Sequence, residues 1–170
     1  MHITDQIQTM KTQKFHLIFF SIIAAVILAG CSTPAHQTAA ADATAHQTHQ
    51  AYVAAINSNN LDVLLDMLTE DVVFLSAHEP VMVGKAAVRP WLEGYVKAFK
   101  THWDKPVQEF VVNGEWAFER YSYKSTDTPL AGGAIVEDTG WGLVIYHHDA
   151  DGKWRVARDA WGSDRPLPAK

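Results

Sequence analysis

The feature that most restricts the fold of this chain is a change in hydrophobic period near Val107. Upstream, apolar side chains recur at helical spacing. Leu61, Leu64, Leu65 and Leu68 follow i, i+3, i+4, i+7, and Val88, Trp91, Leu92, Tyr95, Val96 and Phe99 form a second, wider stripe. Downstream, apolar and polar residues alternate with the period of two that a strand with one buried face requires. The spacing predicts helices over His46–Asn57, from Leu61 to the Glu70-Asp71 stop, and over Lys85–Lys100, with a short strand at Val72–Leu75. Asn60 is placed to cap the second helix, and Pro90 bends or delays the third. Strands are then expected at Val107–Val112, Glu115–Thr126, Ile135–His148 and Lys153–Asp164. Asn113-Gly114 makes a hairpin turn, 127–133 a loop and 149–152 the last turn. Three helices followed by long hairpin strands imply an α+β fold, a curved antiparallel β-sheet wrapped around the helices.

The first thirty residues read differently. Lys11 and Lys14 precede an apolar run, 15–29, which is too short to span a membrane comfortably and is as long as a signal-peptide core. The run ends in Leu28-Ala29-Gly30-Cys31, which resembles the bacterial lipobox. That resemblance implies cleavage before Cys31 and lipidation of its sulfur, which also accounts for a lone cysteine. Ser32, rather than Asp, follows it, and the resemblance then favours the outer membrane, periplasmic face. Residues 31–45 are small and polar and read as a flexible tether, 46–164 as the folded domain and 165–170 as a disordered tail. Of 14 basic and 19 acidic residues, cleavage removes Lys11, Lys14 and Asp5, leaving 12 and 18. A net acidic chain argues against a nucleic-acid partner, which needs a basic surface.

Within the folded part, Tyr52-Val-Ala-Ala-Ile-Asn57, Leu61-Asp62, Glu70-Asp71, Gly84-Lys85, Ala117-Phe-Glu-Arg120, Gly132-Gly133 and Asp151-Gly-Lys-Trp154 with Asp159-Ala-Trp161 occur in that order. Together they resemble the nuclear transport factor 2-like superfamily, in its SnoaL-like and ketosteroid-isomerase-like branches. The resemblance implies a cone: a bent sheet curled around three helices, with an apolar pocket at the wide end and, often, a homodimer through the outer sheet face. It also implies where isomerase acids should stand. Those positions hold Ser76 and about Val144, so ketosteroid-isomerase chemistry is not expected.

Strand alternation and the family alignment put Ala117, Glu119, Tyr121 and Tyr123 on one inner face, and Arg155, Ala157, Asp159 and Trp161 on another. With Tyr52, Trp91 and Tyr95 this makes a ligand pocket of Tyr52, Trp91, Tyr95, Glu119, Tyr121, Asp159 and Trp161. Asp159, Glu119 and His78 are the candidate catalytic groups, since carboxyls in an apolar pocket are where acid–base chemistry is found. The alternative is that Glu119 and Asp159 form structural ion pairs with Arg120, Arg155 or Arg158. His46 and His49 read as helix-surface residues. No P-loop, dinucleotide fingerprint or zinc spacing occurs, so no cofactor and no metal is expected. Three functions stand: an envelope lipoprotein binding a small, mostly apolar molecule, an isomerase-, lyase- or hydrolase-type enzyme, and a dimeric scaffold.

Overall fold

The computed structural model describes residues 34–77 and 79–166, and the account below concerns the unit that begins at Thr38. The fold is α+β. Helices α1 (Pro34–Asn57) and α2 (Leu61–Asp66) lead into strand β1 (Leu68–Leu75), the short β2 (Met82–Val83) and helix α3 (Lys85–Ala98). Five strands follow: β3 (Phe99–Asp104), β4 (Val107–Asn113), β5 (Trp116–Pro129), β6 (Val136–His148) and β7 (Trp154–Ser163). They form one curved, unclosed, mixed sheet in the order β2-β1-β7-β6-β5-β3, with β4 also on β5. Among the described residues only the β1–β7 pairing is parallel.

Three elements differ from the sequence expectation. The stretch from Pro34 to Ala45 is helical rather than an irregular tether. Its alanines have the highest helix propensity of any residue, and Ala45 is fully buried in the core. Leu68, expected on the second helix, instead opens β1, so that Glu70 and Asp71 lie within a strand rather than ending a helix. Phe99, expected on the third helix, opens β3, a strand that sequence reading did not identify. Helix α3 tolerates Pro90 because that residue is exposed, as is Ala86, whose carbonyl loses its intrahelical donor.

Strand β5 carries the sheet. β6 pairs along it from Trp116 to Asp127, while its other edge is shared, β4 covering Trp116–Tyr121 and β3 covering Lys124–Pro129. The handover falls at Lys105-Pro106. There proline supplies no ladder donor, although its carbonyl still accepts from Ser122 N at 3.3 Å.

The free edge of β3 is closed by side-chain amides at the end of α1. Asn57 accepts from Trp103 N at 2.7 Å and donates to its carbonyl at 2.9 Å. Asn59, at φ 53°, does the same for Thr101 at 2.6 and 3.0 Å. Each amide thus takes the place of a strand residue, which is how a sheet edge is kept from pairing with another chain. Asn57→Ala removes two such bonds and should cost about 2 kcal/mol at roughly 1 kcal/mol each, read from urea unfolding. An unchanged midpoint would show that the edge does not depend on them.

Candidate functional site

The concave side of the sheet is built by alternation. On β5 the residues Ala117, Glu119, Tyr121, Tyr123 and Ser125 are buried. Opposite Tyr121 and Tyr123, β6 carries Gly142 and Gly140. A Cβ on Gly142 would overlap the ring carbon and hydroxyl of Tyr121, and one on Gly140 would come within 2.7 Å of the Tyr123 ring. The two glycines let both tyrosines lie flat across the neighbouring strand.

On β7 the alternation is broken. Arg158 pairs with Ile145, but Val156 pairs with Tyr146, which leaves Ala157 as an extra, unpaired residue. This bulge inverts the faces on either side of it. Trp154 and Val156 enter the core before it, Asp159 points inward after it, and Arg155 turns away to bind Asp149 (2.7 Å) and Asp151 (2.8 and 3.0 Å). The expectation that Arg155 shares the inner face with Asp159 is therefore corrected, and the register break is the reason.

Asp159 is only 4% exposed and has a built environment. Tyr52, from α1, donates to its Oδ2 at 2.7 Å, and Tyr121 donates to its Oδ1 at 3.1 Å. Burial raises the Asp159 pKa above its ordinary 3.8, and charge from Lys105 and the two tyrosine hydroxyls oppose that rise. Lys105, also 4% exposed, sits over the two tyrosine rings, its Nζ 3.8 Å from the Tyr121 centroid and 4.8 Å from that of Tyr52. Among the described residues its ammonium makes no hydrogen bond and no ion pair within 4.0 Å. Burial lowers its pKa, with Asp159 and Glu119 acting in the other direction. The same burial holds both tyrosine hydroxyls protonated.

These four groups form the buried pole of a cavity of about 280 Å³. Its walls are aromatic: Phe74, Trp91, Tyr95, Trp103, Tyr123 and Trp161. Trp91 stacks on Tyr95 with centroids 5.7 Å apart, and Trp161 meets Phe74 edge-on at 5.6 Å. Two further carboxylates on the wall are occupied. Asp127 accepts from Tyr95 and Thr101, both at 2.6 Å, and Asp138 from Tyr123 and Ser163 at 2.8 and 2.7 Å. Ser76 lines the cavity with its hydroxyl buried and unpartnered among the described residues.

Of the residues expected at the site, Tyr52, Trp91, Tyr95, Tyr121, Asp159 and Trp161 meet around one cavity. Glu119 does not line it, which corrects its expected place in the pocket. It is fully buried behind the tyrosines, where its Oε2 accepts from Tyr146 at 2.8 Å. His49 Nδ1 lies 2.8 Å from the same oxygen, at ion-pair distance but off the line of a hydrogen bond. His49 is thus largely buried against Glu119 rather than a surface histidine. His78 lies outside the described residues. The alternative of ion pairs to neighbouring arginines does not hold either, because Arg120 binds Glu109, Arg155 binds Asp149 and Asp151, and Arg158 binds Asp71. Lys105 was missed because β3 was missed. Thr101, Trp103 and Lys105 alternate inward, a signal visible only once a strand is assigned there.

Among the described residues no three His, Cys, Asp or Glu side chains cluster as a metal site. What the pole offers is a protonatable carboxyl, an amine and two fixed hydroxyls at the end of an apolar chamber. That arrangement can orient one polar group of a ligand and exchange protons with it.

Solved structures share this architecture. A ketosteroid isomerase-like protein from Erwinia carotovora atroseptica aligns with a TM-score of 0.67 at 23% identity, over 74% of this chain and 97% of that one. A proposed scytalone dehydratase from Novosphingobium aromaticivorans aligns at 0.67 and 16%, over 79% and 94%. A nuclear transport factor 2-like superfamily protein from Salmonella enterica aligns at 0.65 and 14%, over 77% and 96%. At these identities the likeness establishes the fold alone. No curated protein matches the chain. The sequence model of the SnoaL-like domain family matches residues 49–157, well over half of the chain. This match places the chain in the SnoaL-like domain family, with the fold of nuclear transport factor 2-like proteins.

Proposed function

We propose that this chain is an envelope lipoprotein whose cavity binds one small, largely apolar molecule, with a single polar group turned toward Asp159 and Lys105. The observation that carries the reading is the cavity itself, largely aromatic on its walls, with Tyr52, Tyr121, Lys105 and Asp159 converging at its buried pole. Apolar chambers with a few convergent polar groups are the usual form of small-molecule sites. A thermal-shift series with bicyclic aromatic alcohols and ketones, against the matching hydrocarbons, tests it. The oxygenated compounds should raise the melting temperature more than the hydrocarbons. Equal shifts, or none, would contradict the reading.

The anchor rests on the residues up to Cys31, which lie outside the described residues. Cys31 carries diacylglycerol and holds the domain at the membrane, the outer one in a cell that has two. Cys31→Ser should move the protein from the membrane fraction to the soluble fraction and abolish labelling by an alkynyl fatty acid. Retained labelling would contradict lipidation at this residue.

Catalysis is a second reading, favoured by the burial of Asp159 and Lys105 in one chamber, since burial there disfavours the charged form of each. The relatives described as isomerase-like or as a dehydratase suggest a proton-transfer reaction, an isomerisation or elimination, with Asp159 as the acid–base group. Asp159→Asn should then abolish turnover while the alcohols still bind. Self-association is a third. The convex face exposes Trp141 and Leu143 on β6 and Val111 on β4, and sedimentation at micromolar concentration should show a homodimer.

A further inference from the structure

We infer that Lys105 is a carbonyl-capturing residue: its Nζ forms a reversible Schiff base with an aldehyde or ketone held in the aromatic chamber. The inference rests on the ligand-binding reading above and adds to it the chemical class of the ligand.

Three observations converge on this amine. First, Lys105 is a nearly fully buried lysine whose ammonium has neither a hydrogen-bond acceptor nor an ion-pair partner among the described residues. A lysine that serves only structure binds a carboxylate, as Lys85 binds Glu70 at 2.7 Å on this protein's surface. Second, Lys105 lines the cavity, within reach of what the chamber holds. It reaches that place because residue 105 continues the inward alternation of Thr101 and Trp103 just past the end of β3 at Asp104. Third, its immediate neighbours suit the reaction. The rings of Tyr52 and Tyr121 cover the nitrogen from one side, and Asp159 is held beside them by both tyrosine hydroxyls. Desolvation in an apolar pocket is one of the ways enzymes make a lysine nucleophilic, and burial here lowers the pKa of this one.

The step balances without an added reagent. The lone pair of neutral Nζ attacks the carbonyl carbon, and the C=O π electrons move to oxygen. Protonated Asp159, through one bridging water, gives its proton to that oxygen and takes one back from nitrogen, which gives a carbinolamine. A second proton carried the same way releases the hydroxyl as water and leaves a C=N bond. One water is released, and Asp159 returns to its starting state. The reverse reaction frees the carbonyl compound, so the bond is a means of retention as readily as a first step of catalysis.

The probe is 2-naphthaldehyde, with the alcohol 2-naphthalenemethanol as its non-carbonyl counterpart. The full chain is incubated with limiting aldehyde and sodium cyanoborohydride at neutral pH, digested and mapped by mass spectrometry. The expected result is a reduced adduct concentrated on Lys105, while the exposed Lys97, Lys100, Lys124 and Lys153 stay largely unmodified. Lys105→Arg keeps the cation and loses the adduct. Excess 2-naphthalenemethanol protects Lys105 in the wild type. An adduct spread over the exposed lysines, with Lys105 unmodified, overturns the inference. If the alcohol still quenches tryptophan fluorescence in that case, the chamber binds ligands and only the covalent step is wrong. If neither compound binds, the ligand-binding reading fails with it. Mapping the wild type decides the matter even where the variant does not fold.

Discussion

Asp159→Ala is expected to destabilise the fold by about 2–6 kcal/mol, since it leaves two buried hydroxyls without their acceptor. The substitution deletes the acceptor of two buried tyrosine hydroxyls, Tyr52 and Tyr121. Each hydroxyl left without a partner costs about 1–3 kcal/mol by itself. Urea unfolding of wild type and variant measures the loss, and a difference below about 1 kcal/mol would mean that the hydroxyls find new partners. Asp159→Asn should cost less, because an amide keeps an acceptor, and its effect should depend on pH. Burial raises the pKa of Asp159 in the folded state above 3.8. Its contribution to stability is therefore fully present below the ordinary carboxylate value and is lost as pH rises through the folded value. The asparagine variant does not titrate there. It should accordingly gain on the wild type as pH rises above about 4, followed by thermal melts at pH values below and above that point. A constant difference would show that Asp159 keeps an ordinary pKa.

Gly142→Ala should be the second large effect. The added methyl would overlap the Tyr121 ring and approach the Ala160 carbonyl to 2.7 Å, closer than real Cβ atoms come to other atoms. Neither neighbour is free to move. Tyr121 is held by Asp159 and covers Lys105, and Ala160 belongs to the adjoining strand. Overpacking of this kind costs about 1–3 kcal/mol. Since Tyr121 must turn aside, the variant should also lose ligand-induced stabilisation. Gly94→Ala supplies the control. Gly94 lies exposed in α3 with nothing near its Cβ position, so the change should stabilise by a few tenths to about 1 kcal/mol. Equal outcomes at the two positions would refute the packing argument.

The sequence carried the architecture because its signals are local. Leu61, Leu64 and Leu65 mark a helix without reference to anything distant. The long alternation from Ala117 to Tyr123 places Glu119 and Tyr121 inside with no knowledge of their neighbours. The site was legible only in part because its decisive features are not local. The bulge at Ala157 is marked by neither glycine nor proline, yet it decides that Asp159 faces in and Arg155 faces out. Strand β3 follows α3 without a turn residue, so a helical pattern runs on through Phe99 and conceals Lys105. The bond from Tyr52 to Asp159 joins residues 107 apart in the chain, and no periodicity predicts which acid a buried tyrosine will meet.

The central claim is that the aromatic chamber takes up a small apolar molecule with its polar group at the Asp159 end. Six tryptophans provide the means to test it, since Trp91, Trp103 and Trp161 line the chamber, whereas Trp116, Trp141 and Trp154 lie elsewhere. Two-dimensional NMR of the six indole N–H groups, titrated with 2-naphthalenemethanol, reads both sets at once. The account predicts saturable shifts at Trp91, Trp103 and Trp161, reduced by Asp159→Asn, with the other three unmoved. Shifts confined to the exposed Trp116 and Trp141, or unchanged by the substitution, would contradict it.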